Sequence, residues 1–191
     1  MKKLFILGLV LLASSVSAQS FVVSPFVGFI SMQGYIENEY IGEHSYSSNA
    51  ESALVGLESG VTVWNRLEFG LEFVYPFGYA FKLYPFETTY KIMQIGPYAK
   101  YYFKTDYCKP YLKTGLAYYW GKEQYKPPSP YLLYPANDYV VAGNWGINVG
   151  CGIFLDCGVF VQFDYNLIAQ KKYFDMDTWD VRVGYQLSFG H

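Results

Sequence analysis

Apolar and polar residues alternate along most of this chain with a period of two. In one run Leu67, Phe69, Leu71, Phe73, Tyr75 and Phe77 are separated by Glu68, Gly70, Glu72, Val74 and Pro76. Another sets Trp179, Val181, Val183, Tyr185, Leu187 and Phe189 against Asp180, Arg182, Gly184, Gln186 and Ser188. A third sets Leu112, Thr114, Leu116, Tyr118 and Trp120 against Lys113, Gly115, Ala117 and Tyr119. Successive side chains of a β-strand point to opposite faces, so each run has a large apolar face and a polar or small one. Eight such strands are predicted, over residues 20–31, 52–64, 67–79, 89–103, 110–120, 140–155, 158–168 and 178–189. Val140 to Leu155 carries no charge, and Gly146 and Gly150 have the spacing of a transmembrane helix contact. Yet Asn144, Gly146, Asn148, Gly150 and Gly152 share one parity, and Trp145, Ile147, Val149, Cys151 and Ile153 share the other. A strand accounts for every residue, whereas a helix leaves the two asparagines without a place.

The connections alternate in length. Residues 32–51, 80–88, 121–139 and 169–177 are long, while 65–66, 104–109 and 156–157 are short. Long and short connections on opposite sides are the pattern of an up-and-down membrane barrel. An even number of strands puts both termini on the short-turn side. Strands that cross a bilayer need about 10 residues each, which the segments supply. The predicted fold is all-β: an eight-stranded antiparallel up-and-down transmembrane β-barrel.

The amino terminus reads as an export signal. Lys2 and Lys3 precede the uncharged apolar run Leu4 to Ala13, and small residues end at Val16-Ser17-Ala18. A run of ten is too short to cross a hydrocarbon core about 30 Å thick as a helix. A cleaved signal over 1–18 and a barrel over 19–191 are expected, with Gln19 in place of a lipid-bearing cysteine. Loss of the two lysines takes the net charge from −2 to −4.

Composition supports a barrel and excludes other classes. Aromatic residues make 21 % of the chain and charged residues only 16 %, too greasy for a disordered segment. The net charge of −2 without a basic block excludes nucleic-acid binding by charge. A soluble lipid-binding barrel would turn its apolar face inward. Here the polar face carries Gly28, Gly56, Gly60, Gly70, Gly96, Gly115, Gly146, Gly150, Gly152 and Gly184, which suit a narrow, crowded interior. The large apolar face, with Tyr and Trp near the strand ends, suits lipid and its interfacial belts. The interior then holds Glu58, Glu68, Glu72, Asp164 and Asp180 with Lys100, Lys113 and Arg182. Buried charges must be paired. An eight-stranded barrel is filled by its side chains, so these residues are expected to form a salt-bridge network that plugs it. A narrow porin-like channel for small solutes or ions is the alternative use of the same charges, and a secreted soluble barrel is a more distant one.

Several stretches resemble the small outer-membrane β-barrel family, the OmpA-like and opacity-type eight-stranded porin group. They are Ser24 to Phe29, Ile95 to Phe103, and Pro110 to Leu116. The last strand, with Gly184, Leu187 and Phe189, is similar to that family's carboxy-terminal assembly signal, although Gly190-His191 follows it. The resemblance implies an outer membrane of the Gram-negative type, contact with its lipids, and insertion by the barrel-assembly machinery. The short turns then face the periplasm. The implied role is structural or surface-interacting, with loops 32–51 and 121–139 as the contact sites for a surface ligand.

Candidate chemistry is sparse. Cys108 and Cys157 fall in short turns on one rim, where a disulfide is conceivable in an oxidising compartment. Cys151 has the lipid-facing parity and reads as a small hydrophobe. No cysteine and histidine spacing suits a metal, and no nucleotide-binding motif occurs, so no cofactor or metal is expected. His44, beside Glu43, Ser45 and Ser47, reads as part of a polar outer loop, and no catalytic residues are assigned.

Overall fold

The computed structural model describes residues 18–36, 46–64, 66–83, 86–105, 107–126, 138–168 and 175–190. The predicted signal up to residue 17, His44 and His191 lie outside them, as do residues 37–45 and 127–137 of the two long loops.

The described chain is a single antiparallel sheet closed on itself. Its strands are β1 (Ala18–Ile36), β2 (Tyr46–Val63), β3 (Leu67–Pro76), β4 (Tyr79–Leu83), β5 (Phe86–Tyr102), β6 (Cys108–Lys126), β7 (Asp138–Leu155), β8 (Val159–Ile168), β9 (Asp175–Tyr185) and β10 (Leu187–Phe189). Neighbours in sequence are neighbours in space, and β1 closes the ring by pairing with β9 and β10. Two of the eight staves are interrupted. β3 and β4 are one stave broken at Phe77–Gly78, where Gly78 takes φ 137° and its N–H donates to Ser52 Oγ at 3.0 Å. β9 and β10 are one stave broken at Gln186, whose N–H turns aside to the Gly158 carbonyl at 2.8 Å. Closure leaves no sheet edge around the waist, which a backbone surrounded by lipid requires.

Parity decides which face is which. Phe69, Leu71, Phe73, Leu112, Leu116, Ile147, Val161, Val181 and Val183 point outward and are exposed. Glu58, Glu68, Glu72, Lys100, Lys113, Asp164, Asp180 and Arg182 point inward and are buried. A soluble carrier would show the reverse arrangement. An inward glycine lets neighbouring strands approach closely: a Cβ on Gly96 would run into the Leu116 carbonyl of the adjacent strand.

Most strands run further than the alternation predicts, chiefly on the long-loop side. β1 continues to Ile36 and β2 begins at Tyr46, so much of 32–51 is strand rather than loop. Likewise β6 runs to Lys126 and β7 begins at Asp138, which shortens 121–139. The Val140 to Leu155 stretch lies within strand β7, not a helix. Among the described residues β8 ends at Ile168 opposite Gly146, the β7 positions 138–141 pair with β6, and Asp175, Met176 and Asp177 of β9 pair with β1.

Candidate functional site in the barrel lumen

The lumen is filled in layers, because each strand delivers one inward side chain every second residue. At the waist Lys113, on β6, projects across the barrel to acids on three other strands. Its Nζ meets Glu58 Oε1 at 2.9 Å and Asp164 Oδ2 at 3.1 Å, and also bonds Glu72. Arg182, on β9, reaches Glu72 Oε2 at 2.5 Å and Asp164 Oδ2 at 3.1 Å, and grips Asp180 through Nε and Nη2. Lys100 joins Glu58 Oε2 at 2.5 Å and stands 3.8 Å from Glu68 Oε1. The eight charged residues therefore form one cluster, and each of its members is at most 3 % exposed.

Register explains why the cations must cross the lumen. Glu58 lies directly opposite Glu72, Lys100 opposite Lys113, and Asp164 opposite Asp180. Like charges facing each other on adjacent strands repel. Long Lys and Arg side chains relieve this by reaching over to acids of other staves.

The five acids outnumber the three bases by two, although each acid meets at least one cation. Neutral donors add to these pairs, while Asp164 Oδ1 has no hydrogen-bond partner among the described residues. Tyr98 and Tyr102 hydroxyls donate to Glu68 at 2.6 and 2.7 Å. Gln94 donates to Glu72 at 2.7 Å, Gln162 to Asp164 at 2.6 Å, and Asn166 to Asp180 at 3.2 Å. Aromatic rings complete the cage: Lys100 Nζ stands 5.0 Å from the Tyr111 ring centre and 5.2 Å from that of Phe160, and Arg182 lies 4.7 Å over Phe26. Sequence reasoning left out Tyr98, Tyr102, Gln94 and Gln162 as partners. Their parity could have found them, since Tyr98 and Tyr102 flank Lys100 on the same face of β5.

On the outer side of the charges lies an apolar layer that the polar plug did not anticipate. Ile30, Met32, Leu54, Val74, Ile92 and Ile168 close the lumen there. A space of about 10 Å³, at the limit for one water molecule, is left between Ile30, Met32, Val74 and Ile92 and the polar Gln94, Tyr119 and Thr178.

Of the other candidates, Cys108 opens β6 and Cys157 lies in the β7–β8 turn, and both stand as free thiols, as does the outward-facing Cys151. Gly184 is inward, next to Phe160, while Leu187 and Phe189 are exposed on the outer face of β10. Among the described residues no group of three or more potential metal ligands occurs.

An apolar exterior, a closed antiparallel sheet and a charged interior together define an integral membrane β-barrel. The chain belongs to the outer membrane protein beta-barrel domain family, which matches residues 8–186, and its place is the bacterial outer membrane. Among solved structures it is similar to Neisserial surface protein A, at 17 % identity and a TM-score of 0.57 over 86 % of this chain and 97 % of that one. It is similar to Ail, the attachment invasion locus protein of Yersinia pestis, solved with the heparin analogue sucrose octasulfate: 11 % identity, TM-score 0.54, covering 87 % and 99 %. A third likeness is to OprG from Pseudomonas aeruginosa, at 13 % identity and TM-score 0.52, covering 91 % and 97 %. At these identities the likeness is one of fold. No curated protein matches the chain.

Proposed function

We propose that this outer-membrane barrel does not conduct and serves as a rigid support for surface contacts, without catalysis. The observation that carries the reading is the order of the lumen layers. Among the described residues, the lumen on the outer side of the charges holds Ile30, Met32, Val74 and Ile92, with Gln94, Tyr119 and Thr178, around space for about one water. A passage this narrow leaves no room for a hydrated ion. The charges behind it are already spent on one another.

The surface role draws on the strands that outrun the bilayer. β1 and β2 have 19 and 18 residues, where about 10 suffice to cross. The surplus is ladder on the long-loop side, which holds loops 32–51 and 121–139 as the contact regions for a protein or a glycan. Recording from planar bilayers tests the closed lumen: folded protein is expected to give no unitary current steps. Reproducible steps would overturn it. Hydrolysis or acyl transfer on lipopolysaccharide that disappears in His44→Ala would overturn the non-catalytic part.

A further inference from the structure

The periplasmic rim carries a basic groove that neither the lumen nor the outer loops explain. It is a cavity of about 500 Å³ between the β2–β3 turn and the β5–β6 turn, lined by Trp64, Arg66, Phe103, Lys104, Thr105 and Lys109. Backbone bonds make its floor rigid: Tyr102 N–H donates to the Arg66 carbonyl and Phe103 N–H to the Pro110 carbonyl, each at 2.8 Å. Among the described residues three cations line it, no carboxylate does, and none of the three has an ion pair, although Lys109 Nζ stands 5.7 Å from the Phe154 ring centre.

The groove opens where the apolar exterior ends. Phe69, Tyr101 and Leu112 are exposed just toward the bilayer, and Trp64 is 65 % exposed in the turn itself. Trp64 takes φ 52°, a left-handed conformation that a bulky residue adopts only at a cost. A turn that needed only to reverse the chain would hold Gly or Asn there. The strained position instead sets an indole at the level of the lipid headgroups, where such rings reside.

We propose that this groove seats the phosphate of an anionic phospholipid of the periplasmic leaflet, with Arg66, Lys104 and Lys109 around the phosphate and Trp64 and Phe103 against the glycerol and upper acyl chains. Unpaired cations, an interfacial indole and adjacency to the lipid-facing wall favour a lipid over a soluble phosphate compound.

The test uses the full folded protein in vesicles of phosphatidylcholine with a minority of phosphatidylglycerol, followed by mild extraction and native mass spectrometry of the lipids retained. Wild type is expected to hold phosphatidylglycerol at about five-fold or more over its bulk ratio, the effect of a single basic residue at an anionic leaflet. Arg66→Gln, Lys104→Gln and Lys109→Gln combined should return the ratio to bulk, while Lys91→Gln at the far end of β5 should leave it enriched. No enrichment in wild type overturns the proposal, as does enrichment that survives the triple substitution. Inorganic phosphate added to the wild-type complex should not strip the lipid. If it does so at millimolar concentration, the groove is a site for free phosphate and the lipid assignment fails. That arm needs no variant to fold.

Discussion

Lys113 is the residue on which the lumen network turns. It touches Glu58, Glu72 and Asp164, three acids that no other single cation reaches together. Removing one member of a buried charge cluster strands its partners in a low dielectric, at about 3–5 kcal/mol. Lys113→Met is therefore expected to lower the unfolding midpoint of the detergent-solubilised barrel, as read by urea titration on gels. Adding Glu72→Gln should recover part of the loss. A single variant as stable as wild type would show that the cluster does not hold the barrel together. Parity in the sequence places all eight charges on one face, but parity cannot say which of them meet. Those meetings depend on register and on which walls of a closed cylinder face one another, as for Lys113 of β6 and Glu58 of β2. Ile30, Met32 and Val74 show a second limit: within one strand, the inward face changes from polar to apolar without breaking the alternation.

The elements were most legible at their periplasmic ends. Predicted starts at 67 and 158 lie against observed ones at Leu67 and Val159, and the predicted end at 155 against Leu155. The outer ends ran past prediction because the period-two signal exists only where one face meets lipid. In Ser47-Ser48-Asn49 and in Lys122-Glu123-Gln124 the sequence is polar at both parities, and the backbone pairing continues through them. At the other end of the chain, β10 makes the final closure, with Phe189 paired to Phe21 of β1 and their ring centres 6.5 Å apart. Phe189→Ala is expected to cut the amount of folded barrel in the outer membrane, measured as the band that shifts on boiling. Refolding of the purified variant into detergent should stay close to wild type. Loss of both together would mean that Phe189 is a packing contact and not an assembly signal.

For the molecule as a whole, closure and burial of charge make two joint expectations. Unboiled protein in SDS should migrate apart from boiled protein, because a closed barrel resists the detergent until heat opens it. Raising salt to molar levels should leave that transition temperature nearly unchanged, since the ion pairs lie inside and screening acts on exposed charges. A marked fall with salt would place the stabilising pairs on the surface instead. The seam between β1 and the pair β9 and β10 has a consequence of another kind. It joins segments that lie far apart along the chain, so the wall cannot be finished until β9 and β10 have been made. A copy cut short before Asp175 would keep two open margins, and the seam thereby lets the membrane tell a finished copy from a truncated one.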